Sequence, residues 1–181
     1  MEKILNKEQQ DYLLGLARQS IKHYLETGKI LEAKTDDKIL KEKRGAFVTL
    51  KVNNQLRGCI GYALPLKPLI ETIIEVAISS ATQDYRFQLL RLDELAETKI
   101  EISVLTLPRS LTDISEIEIG KHGIIVSKGP HKGLLLPQVP TEWNWDLKTY
   151  LHHGCLKAGL DGDEWKKGAN IEIFSAQVFS E

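Results

Sequence analysis

The chain has 181 residues, and 24 Lys and Arg against 25 Asp and Glu leave a formal net charge of −1. That balance supplies no global field for nucleic acid or an anionic membrane, and 42% hydrophobic residues suit an ordinary globular core. Met1 to Asn6 lacks the apolar run of a signal peptide, and no stretch approaches the ~18 apolar residues of a membrane span.

Asn6, followed three residues later by Gln9, forms a capping-box pattern. Leu13, Leu16, Ala17, Ser20, Ile21, Tyr24 and Leu25 then recur at helical spacing up to a stop at Gly28. The charge-rich residues 32–44 read as a surface connector. From Ala46 to Val52 the chain alternates as a strand, and Asn53-Asn54 supplies the positive-φ pair of a tight hairpin turn. The return strand carries Leu56-Arg57-Gly58-Cys59-Ile60-Gly61. With unbroken alternation, Val48 and Leu50 fall opposite Cys59 and Arg57, and the latter two share a face.

Pro65 and Pro68 open a helix whose apolar face runs from Leu66 through Ile70, Ile73, Ile74, Ala77 and Ile78 to Ala81. It ends at the polar-aromatic loop Gln83-Asp84-Tyr85-Arg86-Phe87. A helical turn at 92–95 precedes a half-buried strand through Ile100, Ile102 and Val104. Gly123–Ser127 and Gly133–Leu136 form a second hairpin around Gly129-Pro130. A helix begins near Asp146 and ends at Gly159, and Ile171 to Phe179 closes the chain as a last strand. Hairpins rather than regular βαβ units predict an α+β fold with a mainly antiparallel sheet and packed helices.

The chemistry concentrates in the first hairpin. Gly58 and Gly61 weaken a strand, and such glycines mark a bulge or the close approach of a backbone or ligand. Cys59 is a buried small hydrophobe on one reading. On another it is a thiol activated by Arg57, serving as nucleophile or metal ligand. Arg57 is a fork for a carboxylate or phosphate, or the structural partner of Asp84 or Glu94. Asp84 and Arg86 either lock their loop with a salt bridge or line a binding rim. Gln138, after an apolar strand, reads a ligand or holds a loop. Glu142, Trp143 and Trp145 offer an aromatic rim or core. His152, His153 and Cys155 on one helix fall short of a metal site, and His122 and His131 read as loop residues. There is no P-loop and no basic aromatic stripe for nucleic acid. The two cysteines are too few for a disulfide scaffold, so free thiols in a reducing cytoplasm are expected.

The hairpin motif resembles the signature of the AMMECR domain family, named for a chromosomal region linked to Alport syndrome, midface hypoplasia and elliptocytosis. The resemblance extends to Arg44-Gly45, Val48-Thr49-Leu50-Lys51, Asp84 with Arg86-Phe87, Ile102-Ser103-Val104-Leu105 and His122-Gly123. It continues through Gly133 to Val139, Trp145-Asp146 and Lys157-Ala158-Gly159-Leu160, covering about residues 8–179. One departure is Tyr85, where the family usually has proline. The resemblance implies a single domain over residues 1–181, built from a larger and a smaller α+β lobe, with the motif lining a cleft between them. It implies no established chemistry and no cofactor. Prokaryotic members often stand beside Memo-type and radical S-adenosylmethionine proteins, an association rather than a mechanism. The first expectation is a module binding a small acidic ligand or a partner through Arg57, Gly58, Cys59, Gly61, Asp84, Arg86 and Gln138. The second is an enzyme using Cys59.

Overall fold

The computed structural model describes residues 4–181. Helix α1 spans Lys7–Thr27. Its capping box forms as read, with Asn6 and Gln9 exchanging side-chain-to-backbone bonds, and Gly28 ends it at φ 71°. The connector carries one short helix, α2 (Lys38–Lys41), which Asp37 caps through the Ile39 and Leu40 N–H groups. Strands β1 (Ala46–Val52) and β2 (Gln55–Tyr62) pair antiparallel through Asn53 and Asn54, at φ 50° and 61°. Helix α3 (Leu69–Thr82) follows, then β3 (Lys99–Leu105), which pairs antiparallel with the other side of β1.

The chain divides into two compact units. One comprises residues 4–105 and 177–181, and the other residues 106–176. In the first unit the sheet order is β2-β1-β3-β8, where β8 is Ala176–Ser180. Helix α3 packs on β1 and β2, and α1 packs on α3. Ala46, Val48 and Leu50 of β1, Ile100, Ile102 and Val104 of β3, and Ile73, Val76 and Ala77 of α3 fill the space between sheet and helices. A fully buried side chain such as Val48 or Leu50 contributes about 1.5–3 kcal/mol over its exposed state.

In the second unit the order is β4-β7-β5-β6, with β4 at Arg109–Ser110, β5 at Gly123–Lys128, β6 at His131–Leu135 and β7 at Asn170–Phe174. A four-residue helix α4 (Val139–Glu142) precedes α5 (Leu147–Lys157), which Asp146 caps through the Thr149 N–H. Helix α5 packs on β5 and β6, and bare Gly154 lets it approach Ile124 and Val126. Tyr150, fully buried, directs its hydroxyl to the carbonyls of His122, Leu135 and Leu136.

The α+β class stands, and the pairings of β1 with β2 and β3, and of β7 and β6 with β5, are antiparallel. Two details of the reading are corrected. The β1–β2 register slips after Lys51↔Leu56, so that Leu50 faces Gly58 and Thr49 faces Cys59, not Val48. Arg57 is the extra residue of a β-bulge, and the alternation that would put it on one face with Cys59 is broken there. The closing strand is also two strands. Ser175 interrupts it, β7 belongs to the sheet with β5, and β8 belongs to the sheet with β3.

Candidate functional site

The glycines of the motif are explained by packing. A Cβ on Gly58 would lie 2.0 Å from the Ser80 carbonyl oxygen, so its bareness admits the backbone of α3 against β2. Ser80 completes the seam, accepting from the Ile60 N–H at 2.9 Å and donating to the Val48 carbonyl at 2.8 Å. A Cβ on Gly61 would meet the Phe47 ring and the Ala46 carbonyl. The space these two residues vacate is filled by the protein itself.

Arg57 is a tie rather than a free cation. Its Nη1 donates to the Gln88 carbonyl at 2.6 Å and its Nη2 to the Leu89 carbonyl at 3.1 Å. Both Nε and Nη2 also reach the Glu94 carboxylate, at 3.3 and 3.2 Å. Of the two partners considered for it, Glu94 is the one it takes. The Arg91 N–H and the Arg57 guanidinium together hold the Glu94 carboxyl below its ordinary value.

Asp84 is buried, and both its oxygens are used. Oδ1 accepts from Arg86 Nε at 2.9 Å and from the Arg86 N–H at 3.2 Å. Oδ2 accepts from Arg86 Nη2 at 2.7 Å and from the Cys59 N–H at 2.8 Å. The Arg86 guanidinium, helped by these N–H groups and opposed by burial, holds the Asp84 carboxyl far below the usual carboxylate range. Arg86 Nη2 also reaches the Cys59 carbonyl at 3.3 Å. Residues 84–86 thus satisfy both backbone groups of Cys59 on the open side of β2, an edge strand.

Cys59 itself is partly exposed, with Sγ 3.2 Å from Thr49 Oγ1. Register puts Thr49 opposite Cys59 on one side and Glu101 on the other, so a thiol, a hydroxyl and a carboxylate run in a row across the sheet. Lys51 Nζ donates to Glu101 at 2.9 Å beside that row. Simple alternation does not place Thr49 opposite Cys59, because the bulge at Arg57 shifts the β1–β2 register.

Tyr85 stands between the two anchored residues, 94% exposed. Beyond it Leu89 and Leu92 are exposed too, while Leu90 is buried and its N–H is fixed to the Ala81 carbonyl. The loop is held from beneath and presents apolar side chains outward.

Gln138 lies in the second unit, just before α4. Its carbonyl accepts from the Thr141 and Glu142 N–H groups, and its side chain makes no capping bond. Trp145 stacks on His153 with ring centroids 3.9 Å apart, Trp143 is exposed, and Cys155 is core, its thiol pushed up by burial. His152 packs against Gly162. His122, expected in a loop and solvated, is instead buried. Among the described residues no three His, Cys, Asp or Glu side chains are grouped so as to hold a metal ion. None of their helices is long and apolar enough to cross a membrane.

Comparison with known proteins agrees along the whole length. The AMMECR1 family model matches residues 14–179. Protein MK0488 of Methanopyrus kandleri is 51% identical, over 98% of this chain and 90% of its own. Protein PYRAB00100 of Pyrococcus abyssi is 44% identical, over 94% and 89%. The crystal structure of the uncharacterized protein PH0010 from Pyrococcus horikoshii matches with a TM-score of 0.80 at 42% identity, covering 98% of this chain and 94% of that one. A family pattern spanning both units, with relatives of nearly equal length, leads to one conclusion: this chain belongs to the AMMECR1 family.

Proposed function

We propose that this protein is a partner-binding module, and that its recognition surface is the loop 84–92, which covers the edge of β2 at Cys59. The observation that carries the reading is the combination of rigid anchoring and apolar display in that loop. Asp84 and Arg86 clamp it to Cys59, and Arg57 clamps Gln88, Leu89 and Glu94. Tyr85 and Leu89 project into solvent from this anchored loop and bury little within the chain. An aromatic side chain whose backbone is already fixed adds little backbone-ordering cost on docking, which suits an interface anchor. Arg86 Nη1 makes no hydrogen bond among the described residues, so an acidic group flanking an apolar partner segment finds a cation there. Memo-type and radical S-adenosylmethionine proteins, to which the family resemblance points, are the partners to try first. Gln138, in the unit of residues 106–176, is kept as a separate candidate contact.

A second reading keeps Cys59 as an enzyme's nucleophile or metal ligand. Its support is a thiol fixed on both backbone sides, partly exposed and beside Thr49.

Titration calorimetry of the purified Memo-type and radical S-adenosylmethionine proteins of the same host separates the readings. Tyr85→Ala and Leu89→Ser are expected to weaken binding by about tenfold or more each, as truncation of interface anchors does. Cys59→Ser is expected to leave affinity within about twofold, roughly 0.4 kcal/mol. Binding indifferent to Tyr85 and Leu89 overturns the proposed surface. A chemical step lost only in Cys59→Ser establishes the enzyme instead.

A further inference from the structure

A separate cavity has all its described lining within residues 106–176. It encloses about 240 Å³ and is lined by Thr106, Leu107, Arg109, Lys121, His122, Ile173, Phe174 and Ser175. At about 30 Å³ per water, that is room for a small molecule of a few carbons with its charged group. Among the described residues, three nitrogen bases and two hydroxyls line it and no carboxylate does.

The donors are set by neighbouring bonds. His122 is 8% exposed, and its Nδ1 accepts from the Glu118 N–H at 3.1 Å. An Nδ1 that accepts carries no proton, so the proton of the ring stands on Nε2. Burial, with Lys121 and Arg109 nearby, holds His122 below its ordinary value against the opposing pull of Glu118, so the ring is a neutral donor. Arg109 gives only Nη1 to Glu116, at 2.7 Å, and Lys121 gives one bond to Glu118, at 2.6 Å. The Glu116 carboxylate is otherwise occupied by Thr112 and Asp113. Thr106 Oγ1 accepts from the Ser175 N–H at 2.8 Å, which frees its own hydrogen to donate.

We propose that this cavity binds the oxyanion of a small molecule, a carboxylate or phosphate group, between His122 Nε2–H, the Arg109 fork and the Lys121 ammonium. The arrangement joins a buried, tautomer-fixed imidazole to two cations whose carboxylate partners, Glu116 and Glu118, are not among the described lining residues. Charge-assisted bonds of this kind are the stronger class of hydrogen bond, and arginine adds planar two-point recognition. Phe174, whose ring lies where a Cβ on Gly123 would fall, and Ile173 supply the apolar wall for the ligand's carbon frame. This site is independent of the partner surface at Cys59.

The test is an amide NMR titration of the full chain at low salt with inorganic phosphate and, separately, with succinate. Saturable shifts at Gly123 and Ser175, with a Kd of about 1 mM or tighter for at least one anion, are expected. The anion that saturates more tightly distinguishes a phosphate from a carboxylate ligand. Arg109→Gln is expected to weaken binding about tenfold. His122→Asn keeps an acceptor for the Glu118 N–H but removes the Nε2 donor, and a comparable loss is expected. Lys132→Gln, exposed and outside the cavity, serves as the charge control and is expected to change nothing. The proposal is overturned if neither anion saturates, if Arg109→Gln binds like the wild type, or if Lys132→Gln weakens binding as much. Should His122→Asn fail to fold, Arg109→Gln decides alone, since that side chain is 56% exposed and its loss leaves the core intact.

Discussion

At the scale of single residues, the motif is chiefly a solution to packing. Gly58 is the clearest case, because the Ser80 carbonyl occupies the place of its missing Cβ and is itself part of a helix backbone. A methyl group there cannot be accommodated by a rotamer change, so Gly58→Ala must push α3 off β2. The expected cost is about 3 kcal/mol, the upper range for overpacking, read as a lowered urea midpoint at unchanged slope. A midpoint equal to wild type would mean that the helix seats against β2 less closely than described. Arg57 fits the same pattern, since its guanidinium holds two carbonyls and a carboxylate of the chain. The residues left over for outside chemistry are therefore few: the Cys59 thiol, Arg86 Nη1, and the side chains carried above the clamps.

At the scale of elements, the loop 84–86 acts as a stand-in strand for β2. It supplies an acceptor to the Cys59 N–H and a donor to the Cys59 carbonyl, which an edge strand otherwise leaves open to association. Asp84→Asn keeps the shape but replaces a carboxylate by an amide whose NH₂ opposes Arg86 or Cys59. The expected destabilisation is about 2–4 kcal/mol at neutral pH. Its pH dependence has a definite sign. The folded-state pKa of Asp84 is depressed, so at acidic pH the unfolded chain binds more protons. The wild-type advantage is complete above the ordinary aspartate value near ~3.9 and shrinks as the pH falls below it. Denaturation curves of the two proteins should therefore converge toward pH 2, and a gap constant from pH 7 to pH 2 would remove the ion pair from the account. How such elements show in the sequence is uneven. The Asn6–Gln9 box, the Asn53-Asn54 turn, the apolar face of α3 and the Asp146 cap are local, and each is legible from neighbours three or four residues apart. The bulge at Arg57 is not, because it sits beside the close approach of Gly58 to the α3 backbone at Ser80, a contact between residues far apart in sequence. For the same reason Arg57 could be paired with Asp84 or Glu94 on paper, and Thr49 could not be placed opposite Cys59. Nor did Ile171 to Phe179 reveal its break, since Ser175 interrupts an apolar run only through its bonds to Thr106.

At the scale of the molecule, the unit of residues 106–176 is an insertion in the other, which the chain completes only with its last five residues. Gln177 is where that closure is made. Its Oε1 accepts from the Ile4 and Leu5 N–H groups at 2.8 and 2.7 Å, and its Nε2 donates to the Leu5 carbonyl at 3.0 Å. Leu5 is fully buried, so these backbone groups have little water to fall back on. Glu181 ends the strand on Arg18 and on the Ile100 N–H, and Arg18 in turn holds the carbonyls of Leu95 and Thr98. Gln177→Leu preserves bulk while stripping three hydrogen bonds and orphaning two donors, at an expected cost of about 3 kcal/mol. In a chain of this size that lowers the melting temperature of the affected unit by roughly 6–12 °C. The loss should be local, because cooperative units open as contiguous blocks. Hydrogen exchange is expected to quicken in α1, β1 and β3 while the amides of β5, β6 and β7 keep their protection. Equal acceleration in both sets would show that the two units unfold as one, and that closure at Gln177 governs the whole chain rather than the unit it completes.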